Sequence, residues 1–134
     1  MFTYQTKIKM HHTDAAGRLF FGHQFAIAHE AYESFLEHIG VSFADILKTK
    51  DYFLPIVHAE ADYTKPLFVG DLIEIKLKVT NIGQTSFELS YDLKDIKGQS
   101  VGTVSTTHVA VDNTTQKKMP IPKELREKLE KFLK

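Results

Sequence analysis

Hydrophobic and polar residues exchange places with two different periods along this chain, and the switches between them predict its elements. Over residues 2–10 the apolar side chains Phe2, Tyr4, Ile8 and Met10 fall on even positions, the period of a strand with one dry face. The alternation returns as Ile73, Ile75, Leu77 and Val79 against Glu74, Lys76, Lys78 and Thr80, and again as Phe87, Leu89, Tyr91 and Leu93. Residues 53–64, with Pro55 restricting their start, and residues 101–111 predict two more strands. Gly102 marks a bulge or a close backbone approach in the last of them. Turns are expected at 81–84 and at Lys97-Gly98. Between the first two strands the period changes to three or four: Phe25, Ala28, Tyr32, Phe35, Leu36 and Ile39 predict a long helix with one buried face, stopped at Gly40. Ser42 is placed to cap a short helical turn within residues 41–50 that closes over the end of that helix. After Pro120 and Pro122, Leu125, Leu129 and Phe132 predict a short surface helix.

One long helix inserted between a first strand and four later ones, three of them joined by short turns, implies an α+β fold with an antiparallel sheet whose dry face receives the helix. A chain of 134 residues is long enough for one real core and short for two, so residues 1–134 are read as a single domain.

Composition narrows the function. Seventeen basic and seventeen acidic side chains cancel, so no overall positive field draws nucleic acid. The absence of cysteine removes disulfides, thiolate metal sites and a cysteine nucleophile together. The alternating first ten residues do not resemble a signal peptide, and no apolar run of about 18 residues follows; a cytoplasmic protein without a membrane partner is expected.

The candidate chemistry gathers where a small, polar loop runs into the long helix. Asp14 is followed by Ala15, Ala16 and Gly17, which leave room for a ligand and let the backbone turn sharply. An aspartate in such a place is more often a turn or cap residue, and that reading stands beside the catalytic one. His23 and Glu30 are possible helpers near the same helix. The histidines do not spell a metal site: adjacent His11 and His12 would point apart on a strand, and Glu33 stands where a zinc-binding helix needs its second histidine. His29 and Glu33 pair one helical turn apart, and His58 and His108 read as strand histidines. No G-x-S-x-G elbow, P-loop or dinucleotide fingerprint is present.

Four segments carry a resemblance to a known family: Thr13-Asp14-Ala15-Ala16-Gly17 with Phe20-Phe21; the long helix; Tyr63-Thr64-Lys65-Pro66-Leu67 followed by Gly70-Asp71; and His108-Val109-Ala110-Val111-Asp112 leading to Pro120-Ile121-Pro122. In that order they resemble the hotdog-fold acyl-CoA thioesterases of the 4-hydroxybenzoyl-CoA thioesterase-like family. The resemblance implies a five-stranded antiparallel sheet wrapped around one long helix, and two protomers that join their sheets with active sites at the interface. A homodimer is the minimum, with a homotetramer left open. It also implies that Asp14 is the nucleophile or the general base for water. By the same resemblance the backbone amide of Phe21 is expected to polarise the thioester carbonyl, and Gly17, Phe20, Gly22 and His23 are expected to line the substrate. No cofactor and no metal are called for. DAAG followed by His29-Glu30-Ala31-Tyr32-Glu33 is similar to the 1,4-dihydroxy-2-naphthoyl-CoA thioesterases, which points to an aromatic acyl-CoA. Short aliphatic acyl groups and carrier-protein substrates are alternatives that would need the same aspartate. A hotdog dehydratase and a noncatalytic acyl-CoA-binding module are the rivals.

Overall fold

The computed structural model describes residues 1–49 and 51–134. In chain order the elements are β1 (Phe2–Lys7), α1 (His23–His38), α2 (Phe43–Thr49), β2 (Tyr52–Phe53), β3 (Ile56–Tyr63), β4 (Leu72–Ile82), β5 (Ser86–Lys94), β6 (Ser100–Val109), β7 (Val111–Asp112) and α3 (Lys123–Glu130). Five of the strands form one antiparallel sheet in the order β1-β4-β5-β6-β3, and β2 pairs with β7 apart from it. The period-two residues of β4 and β5 point to one side, where Ile75, Leu77, Val79, Phe87, Leu89 and Leu93 bury against Ile27, Ala31, Phe35 and Leu36 of α1. A slip of one residue would turn the lysines of β4 into this core, so the register is strongly specified.

Gly40 adopts a positive φ of 82°, its N–H bonds the Glu37 carbonyl, and the Val41 N–H bonds that of Leu36; α1 stops where the glycine predicts. Ser42 caps α2 through the Asp45 N–H at 3.2 Å. However, α2 does not sit over the end of α1. Phe43 lies against His29 and Tyr32, at ring-centroid distances of 5.9 and 5.5 Å, beside the middle of the helix. Lys50, the last residue of the stretch assigned to this turn, falls outside the described residues.

Four expected boundaries move. β1 ends at Lys7 rather than at Met10, because the Ile8 N–H turns to the Asp71 carbonyl and residues Met10–His12 coil into a 3-10 turn. The strand expected over 53–64 is broken at Leu54-Pro55 into β2 and β3, since proline supplies no donor to a ladder. The strand expected over 101–111 likewise divides into β6 and β7. β4 runs on through Asn81 and Ile82, with a register shift after Val79, and the turn begins at Gly83. On its other edge β4 outruns β1, which starts at Phe2 opposite Leu77, and Val79 there bonds Phe132 and Lys134 of the C-terminal tail, at 3.1 and 2.9 Å. Leu125 and Leu129 are fully buried, so α3 closes one end of the core rather than lying loose on the surface. At Gly102 both expectations hold: the β5–β6 register shifts beside it, and a Cβ there would fall 2.9 Å from the side-chain nitrogen of Gln24.

Candidate active site

Between β1 and α1 the chain forms a small hairpin. Thr13 bridges Leu19, the Asp14 N–H donates to the Arg18 carbonyl at 2.8 Å, and the Phe20 N–H donates to the His12 carbonyl at 3.0 Å. Gly17 near its tip has a φ of +78°, a conformation that penalises any side chain. Asp14 is exposed, and its Oδ1 accepts the N–H groups of Ala16 and Arg18 at 2.9 and 3.3 Å. It is therefore the turn residue that its surroundings predict. Its Oδ2 accepts no bond among the described residues, so holding the turn occupies only one of the two carboxylate oxygens.

α1 begins at His23, two residues before the first periodic apolar position. The N–H groups of His23, Gln24 and Phe25 fold back onto the carbonyls of Phe20, Phe21 and Gly22, at 2.9, 3.3 and 3.3 Å. This lead-in turn satisfies donors that a helix start ordinarily leaves free. Among the described residues the N–H groups of Phe21 and Gly22 are left without acceptors. Phe21 is 64% exposed, and its carbonyl accepts the Tyr63 hydroxyl at 2.8 Å, so the peptide on its C-terminal side is held from β3 while its own N–H meets no acceptor among the described residues. Phe20 packs its ring on those of Phe21 and His23, at 4.7 and 5.5 Å. Gly22 has an ordinary helical backbone, and a Cβ there would press on the Phe20 ring at 3.3 Å.

His12 ties this hairpin down. It is buried, and its Nδ1 accepts the Lys9 N–H at 3.0 Å, which leaves the proton on Nε2, facing Glu30 Oε2 at 3.9 Å. Burial holds the His12 imidazole below its ordinary pKa; His11, Lys9 and His23 push the same way and Glu30 opposes them. The His12 carbonyl also accepts the His23 Nδ1–H at 3.0 Å, so His23 serves the hairpin as a brace.

A groove of about 300 Å³ opens beside Phe21, lined also by Leu19, Gln24 and the segment from Tyr63 to Leu67. Of the six residues expected at the site, Phe21 alone lines it; Asp14, Gly17, Phe20, Gly22 and His23 stand on the adjoining hairpin and helix start. A larger groove of about 500 Å³ lies elsewhere, around Gln5, Leu72, Lys76, Lys94 and Ile96, and holds none of them. Two residues at the site escaped notice in the sequence. Gln24 is 1% exposed and donates its Nε2 to the carbonyls of Asp62 and Thr103, at 3.0 and 3.1 Å. A glutamine on the polar side of a helical pattern gives no sign of such burial; Gly102, which makes room for it, was the available signal. Tyr63 lies in the segment leading to Pro66, where the sequence assigns it no role.

Residues 8–129 match the thioesterase-like superfamily. The chain belongs to this superfamily. The 1,4-dihydroxy-2-naphthoyl-CoA hydrolase of Synechococcus elongatus is 35% identical over 96% of this chain and 95% of its own length. That of Nostoc punctiforme is 36% identical over 96% and 86%. A 1,4-dihydroxy-2-naphthoyl-CoA thioesterase from Synechocystis superposes with a TM-score of 0.90 at 30% identity, covering 96% of this chain and 94% of that one. The expectation of a hotdog-fold thioester hydrolase stands on these likenesses together with the sheet and helix described above.

The thioesterase has a second polar cluster, away from the hairpin. His108 on β6 is wholly buried; its Nε2 meets Thr106 Oγ1 at 2.8 Å, and that hydroxyl meets the Tyr91 hydroxyl at 3.0 Å. The imidazole stacks on Phe87 with 5° between the planes. Burial drives its pKa down to about 3, with His29 adding to the effect, so it is neutral at physiological pH. His58, by contrast, is the exposed strand histidine expected, and His29 pairs with Glu33 at 3.3 Å. Among the described residues no three histidine, aspartate or glutamate side chains converge as a metal site, and no helix is long and apolar enough to cross a membrane.

Proposed function

We propose that this thioesterase hydrolyses an aromatic acyl-CoA, with Asp14 and the Phe21 amide as its working pair. The observation that carries the reading is the unpartnered Phe21 N–H at the start of α1, with the carbonyl of the same residue fixed by Tyr63. Attack on a thioester turns the carbonyl oxygen into an oxyanion, and a donor already oriented there stabilises the transition state more than the ground state. Asp14 Oδ2 either adds to the carbonyl carbon, giving an anhydride that water then opens, or takes a proton from the water that adds. Both routes expel the CoA thiolate and release a carboxylic acid. The aromatic preference is supported by the names of the relatives and by the exposed rings of Phe20 and Phe21, which offer flat apolar surface.

The working unit is a homodimer at least, located in the cytoplasm. β3 is an edge strand whose residues are nearly all exposed on both faces in the single chain, an arrangement that invites pairing with a second copy. Such pairing would also roof the groove beside Tyr63. Release of free thiol, measured across aromatic and aliphatic acyl-CoAs, tests the function. Specificity constants for acetyl- or butyryl-CoA that equal or exceed the aromatic ones remove the aromatic assignment, and tight binding without thiol release from any of them removes the enzyme. Single turnover in ¹⁸O-water identifies the anhydride route when the first molecule of product carries an unlabelled Asp14 oxygen, the outcome of water opening the anhydride at the Asp14 carboxyl carbon; general-base hydrolysis always places ¹⁸O in the product.

A further inference from the structure

Gln24 is held in an unusual way. Its two amide hydrogens are committed to two backbone carbonyls on neighbouring strands, Asp62 on β3 and Thr103 on β6, and this fixes which side-chain atom is nitrogen. The Oε1 is then left with no donor among the described residues, although the side chain is almost completely buried and forms part of the groove beside Phe21. Oε1 is not one of the side-chain atoms sealed from solvent without a partner, so it reaches the groove and is open to a donor that enters there. Gly102 keeps the position open: a Cβ there would lie 2.9 Å from Nε2 and 3.0 Å from Oε1.

One helical turn earlier stands the Phe21 N–H, a donor without an acceptor. The groove thus offers one free donor and one free acceptor from adjacent turns of the same helix start. A CoA thioester carries the complementary pair. Its carbonyl oxygen accepts, and the secondary amide N–H of the pantetheine arm, joined to the sulfur through two methylene groups, donates. We propose that Gln24 Oε1 accepts that N–H and so registers the thioester carbonyl against the Phe21 amide. The inference rests on the thioesterase reading and adds a subsite for the arm, distinct from whatever binds the acyl group.

The test uses two pantetheine thioesters of one aromatic acid, the second with oxygen in place of the N–H nearest the sulfur, which removes the donor without adding bulk. The unaltered enzyme is expected to favour the amide substrate by roughly 5- to 10-fold in kcat/KM, the scale of one neutral hydrogen bond. In Gln24→Met that preference should fall to about one. A merely structural Gln24 would slow both substrates by a common factor and leave their ratio unchanged, which overturns the proposal, as does equal turnover of the two by the unaltered enzyme. Should Gln24→Met fail to fold, Gly102→Ala displaces the same amide and is read by the same ratio. Failure to hydrolyse either ester, or the parent acyl-CoA, overturns the thioesterase reading and the subsite with it; hydrolysis of both at equal rates overturns the subsite alone.

Discussion

The hairpin end of α1 and the polar chain beneath β6 are built from similar groups and treat them in opposite ways. At the hairpin, Asp14 Oδ2, the Phe21 N–H and Gln24 Oε1 are left unpaired beside solvent or a groove. Beneath β6, Thr106 links Tyr91 to His108 in a region closed to water, and the buried Tyr32 hydroxyl, without a partner among the described residues, is the exception. Polar atoms that stay free at a surface can be completed by a ligand. Polar atoms sealed inside restrict how the core packs, and each unpaired one costs about 1–3 kcal/mol. Substitutions at the two places should therefore separate turnover from stability.

The largest effect is expected where the hairpin end meets the open edge. Ala59 lies near the middle of β3, so if two copies pair antiparallel across a two-fold axis, Ala59→Lys sets like charges almost opposite one another. Light scattering should then show monomers, and turnover should be lost with the dimer while the melting temperature of the chain changes little. A monomer that retains full activity would show that the hairpin end is complete in one chain.

Next comes Asp14→Asn. Asparagine keeps an oxygen for the Ala16 and Arg18 N–H groups and removes only the charge and the second carboxylate oxygen. Thiol release in a single turnover should slow by roughly 100-fold or more, the scale of lost general-base catalysis. Stability should change by no more than about 1 kcal/mol. Near-normal turnover would reduce Asp14 to its turn.

The buried cluster should answer to pH instead. The folded-state pKa of His108 is depressed to about 3, so between that value and the ordinary 6.5 the unfolded chain binds a proton that the folded chain refuses. Above pH 6.5 this costs nothing. As pH falls below it, stability is lost at about 1.4 kcal/mol per unit, reaching about 2 kcal/mol at pH 5, and the loss levels off below pH 3. His12, also depressed, acts with the same sign. Urea midpoints of His108→Gln compared with the parent between pH 7 and 4 should show the shallower dependence in the variant. Parallel curves would mean that His108 does not carry the proton linkage.

What could be read in the sequence follows the same division. Strand and helix periods depend on side chains facing one common core, so β4, β5 and α1 were visible in the alternation of Ile73 to Val79, Phe87 to Leu93 and Phe25 to Ile39. Asp14 and Gly17 were visible because their turn is local, spanning four or five residues. Gln24 and Tyr63 act through partners 79 and 42 residues away, and His108 is tied through Thr106 to Tyr91 on the next strand, 15 residues from Thr106, by pairings that no local pattern specifies. The boundary errors have the same origin: β4 extends where it meets a C-terminal tail over 50 residues distant, and β7 exists because β2 lies beside it.

The smallest expected effect belongs to Tyr63, 48% exposed on the edge strand. Its hydroxyl holds, at 2.8 Å, the carbonyl of Phe21, the residue whose N–H is proposed as the oxyanion donor. Tyr63→Phe keeps the ring in the groove and deletes that one neutral hydrogen bond, which is worth about 0.5–1.5 kcal/mol, or roughly 2- to 10-fold. If the bond orients the Phe21 peptide, the loss should fall on kcat, because an amide free to rock meets the developing oxyanion less well, while KM stays close to its original value. If the bond only fastens the hairpin to β3, the melting temperature should drop and kcat should not. A loss well beyond 100-fold would mean that the phenol touches the substrate itself. Stopped-flow thiol release and a thermal melt on the same preparation distinguish the three outcomes, and the second of them would leave the Phe21 N–H oriented by the lead-in turn of α1 alone.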